Sequence, residues 1–392
     1  MRILLVGGWE ENYKRALAFG LEVVGFIPER SRSLLTATTI VQCKLYDIEI
    51  NDVCRCIYLA LKLHRKEPFS GVFSFTELGL ETAGLIASIL ALPGSSFDAN
   101  VVTRNKDILR QSLRGTILDN VAFRVANSHQ DIDEFASSAG YPFIGKPVAG
   151  QGSIGIRFFT AGTDCNNPNE QWPLLLEKFV EGPEYSVEAV SLDGVHHILA
   201  ATEKATNRRF VETQHVFPAL LNDEEQTTLV EATKFLLDRL ALMNGVSHSE
   251  FKLGKTASGE LVPYLIETQL RPGGDRIWKL VEICYGIKLD ELIIAQALQM
   301  HVPVDLTRRR VASSFFPQFE EGILADYSGV EAVSRSPGVE SFEFRYSIGD
   351  RVVEFSCSAD RKCCLVVSGR DHSEVQTNMA GALSKLVVVI EQ

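Results

Sequence analysis

The sequence lacks the features that mark a protein binding duplex nucleic acid. Among its 392 residues, Asp and Glu outnumber Lys and Arg by 50 to 39, so the formal net charge is −11. A duplex-binding protein needs a basic stripe that neutralises phosphates, and none is evident. The only run of three basic residues, Arg308 to Arg310, is more typical of a solvated turn than of a nucleic-acid arm. We therefore expect no nucleic-acid partner.

Long apolar runs and paired-cysteine spacings are also missing. No segment approaches the roughly 20 apolar residues that span a bilayer, and the apolar stretch Ile3–Val6 is too short for the core of a signal peptide. The eight cysteines show no C-x-x-C and no zinc-ligand spacing, and several lie in apolar runs where a thiol packs like a small hydrophobe. We expect a soluble, reduced, cytoplasmic protein with no membrane partner.

The first hundred residues alternate strand-like and helix-like stretches. Strands are predicted at Ile3–Val6, Glu22–Ile27 and residues 71–75, and helices at residues 10–19, 52–65 and 78–90. This alternation predicts an α/β fold whose first domain has a parallel sheet with helices on both faces. The glycines after the first strand read GGWEEN rather than G-x-G-x-x-G, so a dinucleotide site is only weakly indicated.

A second organisation starts near residue 101, where strands alternate with glycine turns and a long helix is predicted over residues 223–242. From residue 311 onward the pattern predicts mostly strands, at 311–316, 340–346, 352–358 and 362–368, followed by a terminal helix. The length fits two or three domains. We expect boundaries near residues 100 and 304, with a small α+β domain over 305–392.

The segment after a predicted strand at residues 142–147 is rich in glycine. Lys146 ends the strand, and a hairpin follows with Gly150, Gly152 and Gly155. Glycines let backbone N–H groups wrap phosphate oxygens, while a lysine adds a point charge. Taken alone, this segment fits a phosphate-binding loop and a plain hairpin with a surface lysine equally well. It is not a Walker A loop, because no Gly-Lys-Ser/Thr opens a helix.

A second segment places acidic residues around a Gly-Pro turn. An apolar strand runs into Glu177, and a second acidic strand begins at Glu184. An edge strand can pair with an adenine ring, and a carboxylate seven residues further on can accept both ribose hydroxyls. Taken alone, a hairpin with solvated acids is the better interpretation.

Two more acids interrupt apolar strands further along. Glu250 and Glu267 have mainly apolar neighbours, and a carboxylate in such company is costly unless it is paired. Mg²⁺ is a natural partner for such a pair beside a polyphosphate. Arg271 follows four residues after Glu267 and can reach a transferring phosphoryl group. The alternative is a Glu–Arg salt bridge at a strand end; two available carboxylates favour the metal.

These segments occur in the order and spacing of the ATP-grasp superfamily. The chain resembles ATP-grasp carboxylate–amine ligases over nearly its whole length, above all the L-amino-acid (dipeptide) ligases, and more distantly biotin carboxylase and D-alanine–D-alanine ligase. The resemblance implies a pre-ATP-grasp domain over 1–100, an ATP-grasp domain over 101–304 with a lid subdomain near 122–191, and a C-terminal domain. It also implies a reaction in which ATP converts a carboxylate into an acyl phosphate, which an amine then attacks.

The resemblance also assigns the site residues. The ATP contacts would be Lys106, Lys146, Gly150, Gly152, Ser153, Gly155, Glu177, Lys178, Val180, Glu184 and Lys204. The Mg²⁺ ligands would be Glu250, Glu267 and Gln269, where the family usually has Asn in the last place; Mn²⁺ is an expected substitute. The substrate contacts would be Glu77, Glu212, His215, Arg271 and Gly274, and the catalytic residues Arg271, Lys146 and Glu267.

The expected partners are a small carboxylic acid and an amine, with amino acids favoured, and a homodimer is the expected assembly. Two alternatives stay open from the sequence. One is a purine-pathway carboxylating ligase of the same superfamily, which would use bicarbonate in place of the organic acid. The other is an ATP-binding module without turnover.

Overall fold

The computed structural model describes residues 1–150, 152, 154–162, 171–256, 258–301 and 304–392. Its first sheet is parallel, with strand order β3-β2-β1-β4. The strands are β1 (Arg2–Val6), β2 (Glu22–Ile27), β3 (Lys44–Asp47) and β4 (Gly71–Phe73), and the helices are α1 (Glu10–Ala18), α2 (Ala37–Gln42), α3 (Val53–Lys66) and α4 (Leu80–Leu90). All five residues of β1 are buried. Alternate residues enter two different cores, because Leu4 and Val6 pack on one face and Ile3 and Leu5 on the other. The predicted parallel sheet is thus observed.

Two short helices, α5 (Phe97–Arg104) and α6 (Lys106–Ser112), lead into a small antiparallel sheet. Its order is β5-β8-β6-β7, formed by β5 (Phe123–Ala126), β6 (Phe143–Pro147), β7 (Arg157–Phe159) and β8 (Leu174–Lys178). Helix α7 (His129–Ala139) covers one face, where Phe135, Phe143 and Phe159 form an aromatic core.

The largest sheet has eight strands in the order β13-β12-β9-β10-β11-β14-β18-β16. Its strands are β9 (Glu184–Leu192), β10 (Val195–Thr206), β11 (Glu212–Phe217), β12 (Gly245–Lys255), β13 (Leu261–Gln269), β14 (Val311–Phe315), β16 (Val339–Phe344) and β18 (Cys363–Gly369). The helices of this region are α8 (Asp223–Arg239), α9 (Ile277–Tyr285), α10 (Leu289–Ala297), α11 (Val330–Ser334) and α12 (His372–Leu383).

The last part of the chain differs in detail from the sequence prediction. A third antiparallel sheet has the order β17-β15-β19, from β15 (Gly322–Ser328), β17 (Arg351–Val352) and β19 (Val387–Glu391). The strand predicted over residues 352–358 is therefore only the two-residue β17. The chain ends in strand β19, which pairs with β15, and the predicted terminal helix precedes it as α12. Strands β14, β16 and β18 belong to the same large sheet as strands β9–β13. The sheets therefore do not divide the chain near residue 304, and the domain bounds stay a prediction.

No helix in the part of the chain that the structure describes combines the length and apolar character needed to cross a membrane.

Candidate active site

A cleft lies between the small sheet and the eight-stranded sheet. Its empty volume is about 990 Å³, counting the open solvent at its mouth. Many of the predicted site residues line it together: Lys106, Lys146, Gly150, Gly152, Glu177, Lys178, Val180, Glu184, Glu212, Glu250 and Glu267. Strands from both sheets contribute, so residues more than a hundred positions apart in sequence meet here.

Glu177 at the end of β8 carries a buried carboxylate between two cations. Its Oε1 lies 2.5 Å from Arg110 Nε and its Oε2 lies 2.5 Å from Lys146 Nζ. Burial raises the pKa of Glu177, but Arg110 and Lys146 outweigh burial and lower it to about 2. Both carboxylate oxygens are therefore paired with cations of the protein. Arg110 was not predicted.

The glycine-rich loop is tied to helix α6. Lys106 Nζ donates to the carbonyl of Gly150 at 2.7 Å. Gly152 and Gly155 have φ values of 66° and 77°, in the left-handed region that favours glycine. A Cβ on Gly155 would lie 3.0 Å from Pro147 Cγ, so this turn has little room for a side chain. Ser153 lies outside the described residues.

Lys178 and Val180 continue from β8 towards the cleft. Lys178 Nζ donates to the carbonyl oxygens of Gly140 and Tyr141, at 3.3 and 2.9 Å. The carbonyl of Val180 accepts from Lys252 Nζ at 3.2 Å. These contacts fix the segment that leaves the small sheet and enters the large one.

Two of the three predicted metal ligands face each other across paired strands. Glu250 of β12 is in register with Glu267 of β13. Lys106 Nζ lies 3.3 Å from Glu267 Oε2, and Gln269 Nε2 donates to Glu267 Oε1 at 2.9 Å. The Oε1 atom of Gln269 is buried and has no hydrogen-bond partner among the described residues.

This donor set fits Mg²⁺, which prefers oxygen ligands and takes one or two carboxylates beside phosphate oxygens. Two carboxylates and one amide oxygen without a partner supply such ligands. Among the described residues, no group of three or more His, Cys, Asp or Glu side chains is arranged to hold a metal by itself. The site would therefore depend on the oxygens of a bound nucleotide.

Lys204 of β10 lies at the centre of an acidic cluster. Its ammonium is 2.8 Å from Glu184, 2.7 Å from Glu250 and 3.6 Å from Glu212, with 2% of its side chain exposed. Burial lowers the pKa of Lys204, but the three carboxylates more than offset it, and the pKa is raised well above its ordinary value. The lysine is a permanent cation here.

His248 lies beside Glu250 and also contacts the carboxylate of Glu188, and neither residue was predicted. His248 Nδ1 lies 2.8 Å from Glu188 Oε1, and its Nε2 lies 3.1 Å from Glu250 Oε1. Burial lowers the pKa of His248, but Glu188 and Glu250 raise it to about 10. Burial raises the pKa of Glu250, yet Lys204 and His248 keep it well below its usual range.

The predicted substrate residues form two further contacts. Arg271 Nη2 donates to Glu77 Oε2 at 2.7 Å, which joins the segment after β4 to the segment after β13. Arg104 donates to the carbonyl of Glu77 at 2.6 Å. The structure thus brings Glu77 and Arg271 together.

His215 of β11 lies near the loop that contains Gly274. Its Nε2 is 3.3 Å from Asp275 Oδ2, and its buried Nδ1 has no partner among the described residues. Arg361, from the segment before β18, holds both oxygens of Asp275 at 2.5 and 2.7 Å. Burial raises the pKa of Asp275, but His215 and Arg361 lower it far below its usual range. Asp275 and Arg361 were not predicted.

Comparison with known families adds independent evidence. A model of the ATP-grasp domain matches residues 139–277, and a model of the L-amino acid ligase C-terminal domain 2 matches residues 314–391. The chain thus contains an ATP-grasp domain followed by a C-terminal domain of the L-amino acid ligase type. The model of the ATP-grasp domain covers the glycine-rich loop, the acid pair and Arg271, whereas the second model covers the segment that contributes Arg361.

Three similar proteins extend this match. The L-arginine-specific L-amino acid ligase of Bacillus subtilis is 22% identical over 347 residues, covering 85% of this chain and 83% of that protein. The alanine–anticapsin ligase of Bacillus subtilis (strain 168) is 25% identical over 235 residues, covering 52% of this chain and 49% of that protein. A crystal structure of the L-amino acid ligase from Bacillus licheniformis superposes with a TM-score of 0.83 at 20% identity, covering 100% of this chain and 99% of that one.

The α/β ATP-grasp fold and the predicted class, a carboxylate–amine ligase of the L-amino-acid ligase type, are therefore confirmed. ATP-grasp ligases use ATP with Mg²⁺.

Proposed function

We propose that this ATP-grasp ligase activates the carboxylate of one amino acid with ATP and joins it to the amine of a second. The observation that carries the proposal is the cleft, in which Glu250 and Glu267 stand in register beside the ammonium groups of Lys204 and Lys106. Alternating fixed charges of this kind suit a polyphosphate with its divalent cation.

The nucleotide would lie between the two sheets. Lys106 and Lys146 would contact phosphate oxygens, with the glycine-rich loop of Gly150, Gly152, Ser153 and Gly155 over them. The main chain near Glu177, Lys178 and Val180 would meet adenine, and Glu184 the ribose hydroxyls. Lys204 would hold Glu184 and Glu250 in place, since it contacts both carboxylates, and would be a further phosphate contact.

Glu250, Glu267 and Gln269 would hold the divalent cation. Bound there, Mg²⁺ neutralises polyphosphate charge and so favours attack at the γ-phosphorus; Mn²⁺ is proposed as a substitute because it also accepts oxygen ligands. The partnerless Oε1 of Gln269 supports a role for this amide.

In the first step the substrate carboxylate attacks the γ-phosphate, giving an acyl phosphate and ADP. Arg271 would stabilise the charge that spreads over the transferring group, with Lys146 and Glu267 as the other catalytic residues. In the second step the amine attacks the acyl carbon and expels phosphate. Closure of the cleft excludes water, which would otherwise hydrolyse the acyl phosphate.

The amino-acid substrates would be recognised by contacts with Glu77, Glu212, His215 and Gly274. An ammonium needs a nearby anion, and Glu77 and Glu212 are the candidate anions. Support comes from Glu212 Oε2, a buried atom that has no hydrogen-bond partner among the described residues. A homodimer and a cytoplasmic location stay predictions.

The test is a screen of amino-acid pairs for ATP-dependent phosphate release, with chromatography of the spent nucleotide. We expect ADP and phosphate, in amounts that depend on Mg²⁺ and on both amino acids. A stoichiometric AMP peak would contradict the acyl-phosphate route. Turnover that requires bicarbonate in place of one amino acid would instead support a carboxylating ligase.

A further inference from the structure

The strand register places His248 on the same face of the sheet as the acid pair Glu250 and Glu267, one row away. On β12, His248 is opposite Glu188 of β9 and opposite Gln269 of β13. Two residues further along β12, Glu250 is opposite Glu267. Residues two apart in a strand share a face of the sheet. His248 and Glu188 therefore lie side by side on this face of the sheet, next to the acid pair.

The imidazole of His248 is fixed between two carboxylates. Its Nδ1 lies 2.8 and 3.1 Å from the two oxygens of Glu188, and its Nε2 lies 3.1 Å from Glu250 Oε1. Ionised carboxylates only accept hydrogen bonds, so both ring nitrogens donate. Glu188 is 1% exposed and also accepts from Ser186 Oγ and Thr202 Oγ1, at 2.8 and 3.3 Å. The carboxylate of Glu188 is therefore held in place and fixes the orientation of the His248 ring.

The two oxygens of Glu250 have different surroundings. Oε1 accepts from His248 Nε2 and from Lys204 Nζ, at 3.1 and 2.7 Å. Oε2 makes no hydrogen bond with any residue that the structure describes, and Glu250 lines the cleft. One oxygen is committed to protein donors, and the other is left for a ligand.

The loop after β13 packs against the same ring. A Cβ on Gly273 would lie 2.9 Å from His248 Nδ1 and 2.8 Å from Ile277 Cγ2. A side chain at this position would push on the imidazole. The ring is therefore confined by the loop as well as by its hydrogen bonds.

From this arrangement we infer that His248 is a positioning residue for the divalent cation. Glu188 holds the imidazole, the imidazole holds Oε1 of Glu250, and Glu250 Oε2 is left to face the cleft. This inference rests on the proposed role of Glu250 as a metal ligand. Outer partners of metal ligands commonly contribute about 10- to 100-fold to metal affinity, because they fix the orientation of the ligand.

The experiment compares two substitutions that keep different halves of the imidazole. His248→Gln retains an N–H at the distance of Nε2 and can still donate to Glu250. His248→Asn retains only an N–H at the distance of Nδ1 and can donate only to Glu188. Mn²⁺ binding to the protein–ADP complex is measured by electron paramagnetic resonance of the free ion. We expect His248→Asn to raise the Kd for Mn²⁺ by about 10- to 100-fold, and His248→Gln to restore most of the affinity.

Thermal unfolding without metal or nucleotide is the control, because a purely structural histidine would lower Tm in both variants and leave Mn²⁺ binding unchanged. Equal Mn²⁺ affinity in wild type and His248→Asn would overturn the inference while the proposed metal site stood. Absence of ADP-dependent Mn²⁺ binding in wild type would instead contradict the proposed function. If His248→Asn does not fold, Glu188→Gln replaces it, since it weakens the anchor without touching Glu250. The same rise in Kd is expected, and an unchanged Kd would overturn the inference.

Discussion

At the scale of single residues, Glu177 shows how burial and charge combine in this cleft. Its pKa is lowered from 4.5 to about 2, because Arg110 and Lys146 outweigh the effect of burial. A group whose folded pKa is depressed stabilises the fold above its unfolded pKa, and this stability is lost as the pH falls through the folded pKa. The contribution of Glu177 is thus complete above pH 4.5 and lost between pH 4.5 and 2.

The prediction is tested with Glu177→Gln, which removes the titrating group but keeps its size. The shift corresponds to about 3 kcal/mol of unfolding free energy. Between pH 6 and 5 the difference between wild type and variant should be constant. Below pH 4.5 it should shrink by about 1.4 kcal/mol per pH unit. Urea unfolding at pH 6, 5, 4 and 3.5 measures it, and a difference that does not change with pH would contradict the assignment.

Glu267 offers a second test at this scale. Glu267→Gln keeps size and hydrogen bonding but removes the charge proposed to hold Mg²⁺. We expect kcat to fall by at least ~10²-fold with the fold intact, as for loss of a strong electrostatic contact in the transition state. Glu260→Gln is the matched control, because it makes the same change on an exposed residue of the β12–β13 connection. Near-normal turnover of Glu267→Gln at saturating Mg²⁺ would leave Glu267 with a structural role only.

Local sequence patterns found some residues of the cleft and missed others, depending on how far away their partners are. Glu250 and Glu267 were predicted as a pair, since acids that interrupt apolar strands are conspicuous. Arg110, His248 and Arg361 were not, because each depends on a distant carboxylate: Glu177, Glu188 and Asp275 lie 67, 60 and 86 residues away. Such contacts depend on which strands become neighbours, and local patterns do not carry that information.

At the scale of elements, the glycine-rich loop owes its shape to backbone conformation. Gly155 has φ 77°, which an L-residue adopts at a cost of roughly 1–2 kcal/mol. Gly155→Ala should therefore weaken binding of a non-hydrolysable ATP analogue by about 5- to 30-fold, if the loop needs this turn to cover the phosphates. Calorimetry measures the Kd directly.

Gly162→Ala is the control for that prediction. Gly162 belongs to the same small-sheet region and has no positive φ, and a Cβ there would meet no atom of the described residues within 4 Å. It should bind the analogue like wild type. If Gly155→Ala also binds normally, the loop does not depend on this turn for nucleotide binding.

At the scale of the whole molecule, the sheets connect parts of the chain that look separate in sequence. Strand β14 pairs with β11, for example Gln214 with Phe315, although two strands and three helices come between them in the chain. The sequence pattern predicted strands in both places, yet nothing local indicated that they share one sheet. The length of β17 was overestimated because pairing is not visible in a local pattern. Residues 353–358 alternate like a strand, but no strand of the described structure pairs with them.

The proposed substrate site also spans the molecule. Glu77 follows the last strand of the parallel sheet, whereas Arg271 follows β13 of the large sheet, and their side chains meet at 2.7 Å. An amino acid activated at its carboxylate would place that group near Arg271 and its ammonium near Glu77. A hydrogen bond between an ammonium and a carboxylate is typically worth about 1.5–3 kcal/mol.

This geometry predicts selectivity for α-amino acids over the same acids without the amine. Wild type should favour phenylalanine over 3-phenylpropionate by about 10- to 100-fold in competition. Glu77→Ala should abolish that preference and leave ATP affinity unchanged, since Arg271 keeps its hydrogen bond to the carbonyl of Pro272 at 2.9 Å. Glu81→Ala is the control, because Glu81 lies about one helical turn further along and pairs with Arg104, as Glu77 also does. If wild type treats the two acids alike across several side chains, the amino-acid assignment is wrong and only the broader carboxylate–amine ligase remains.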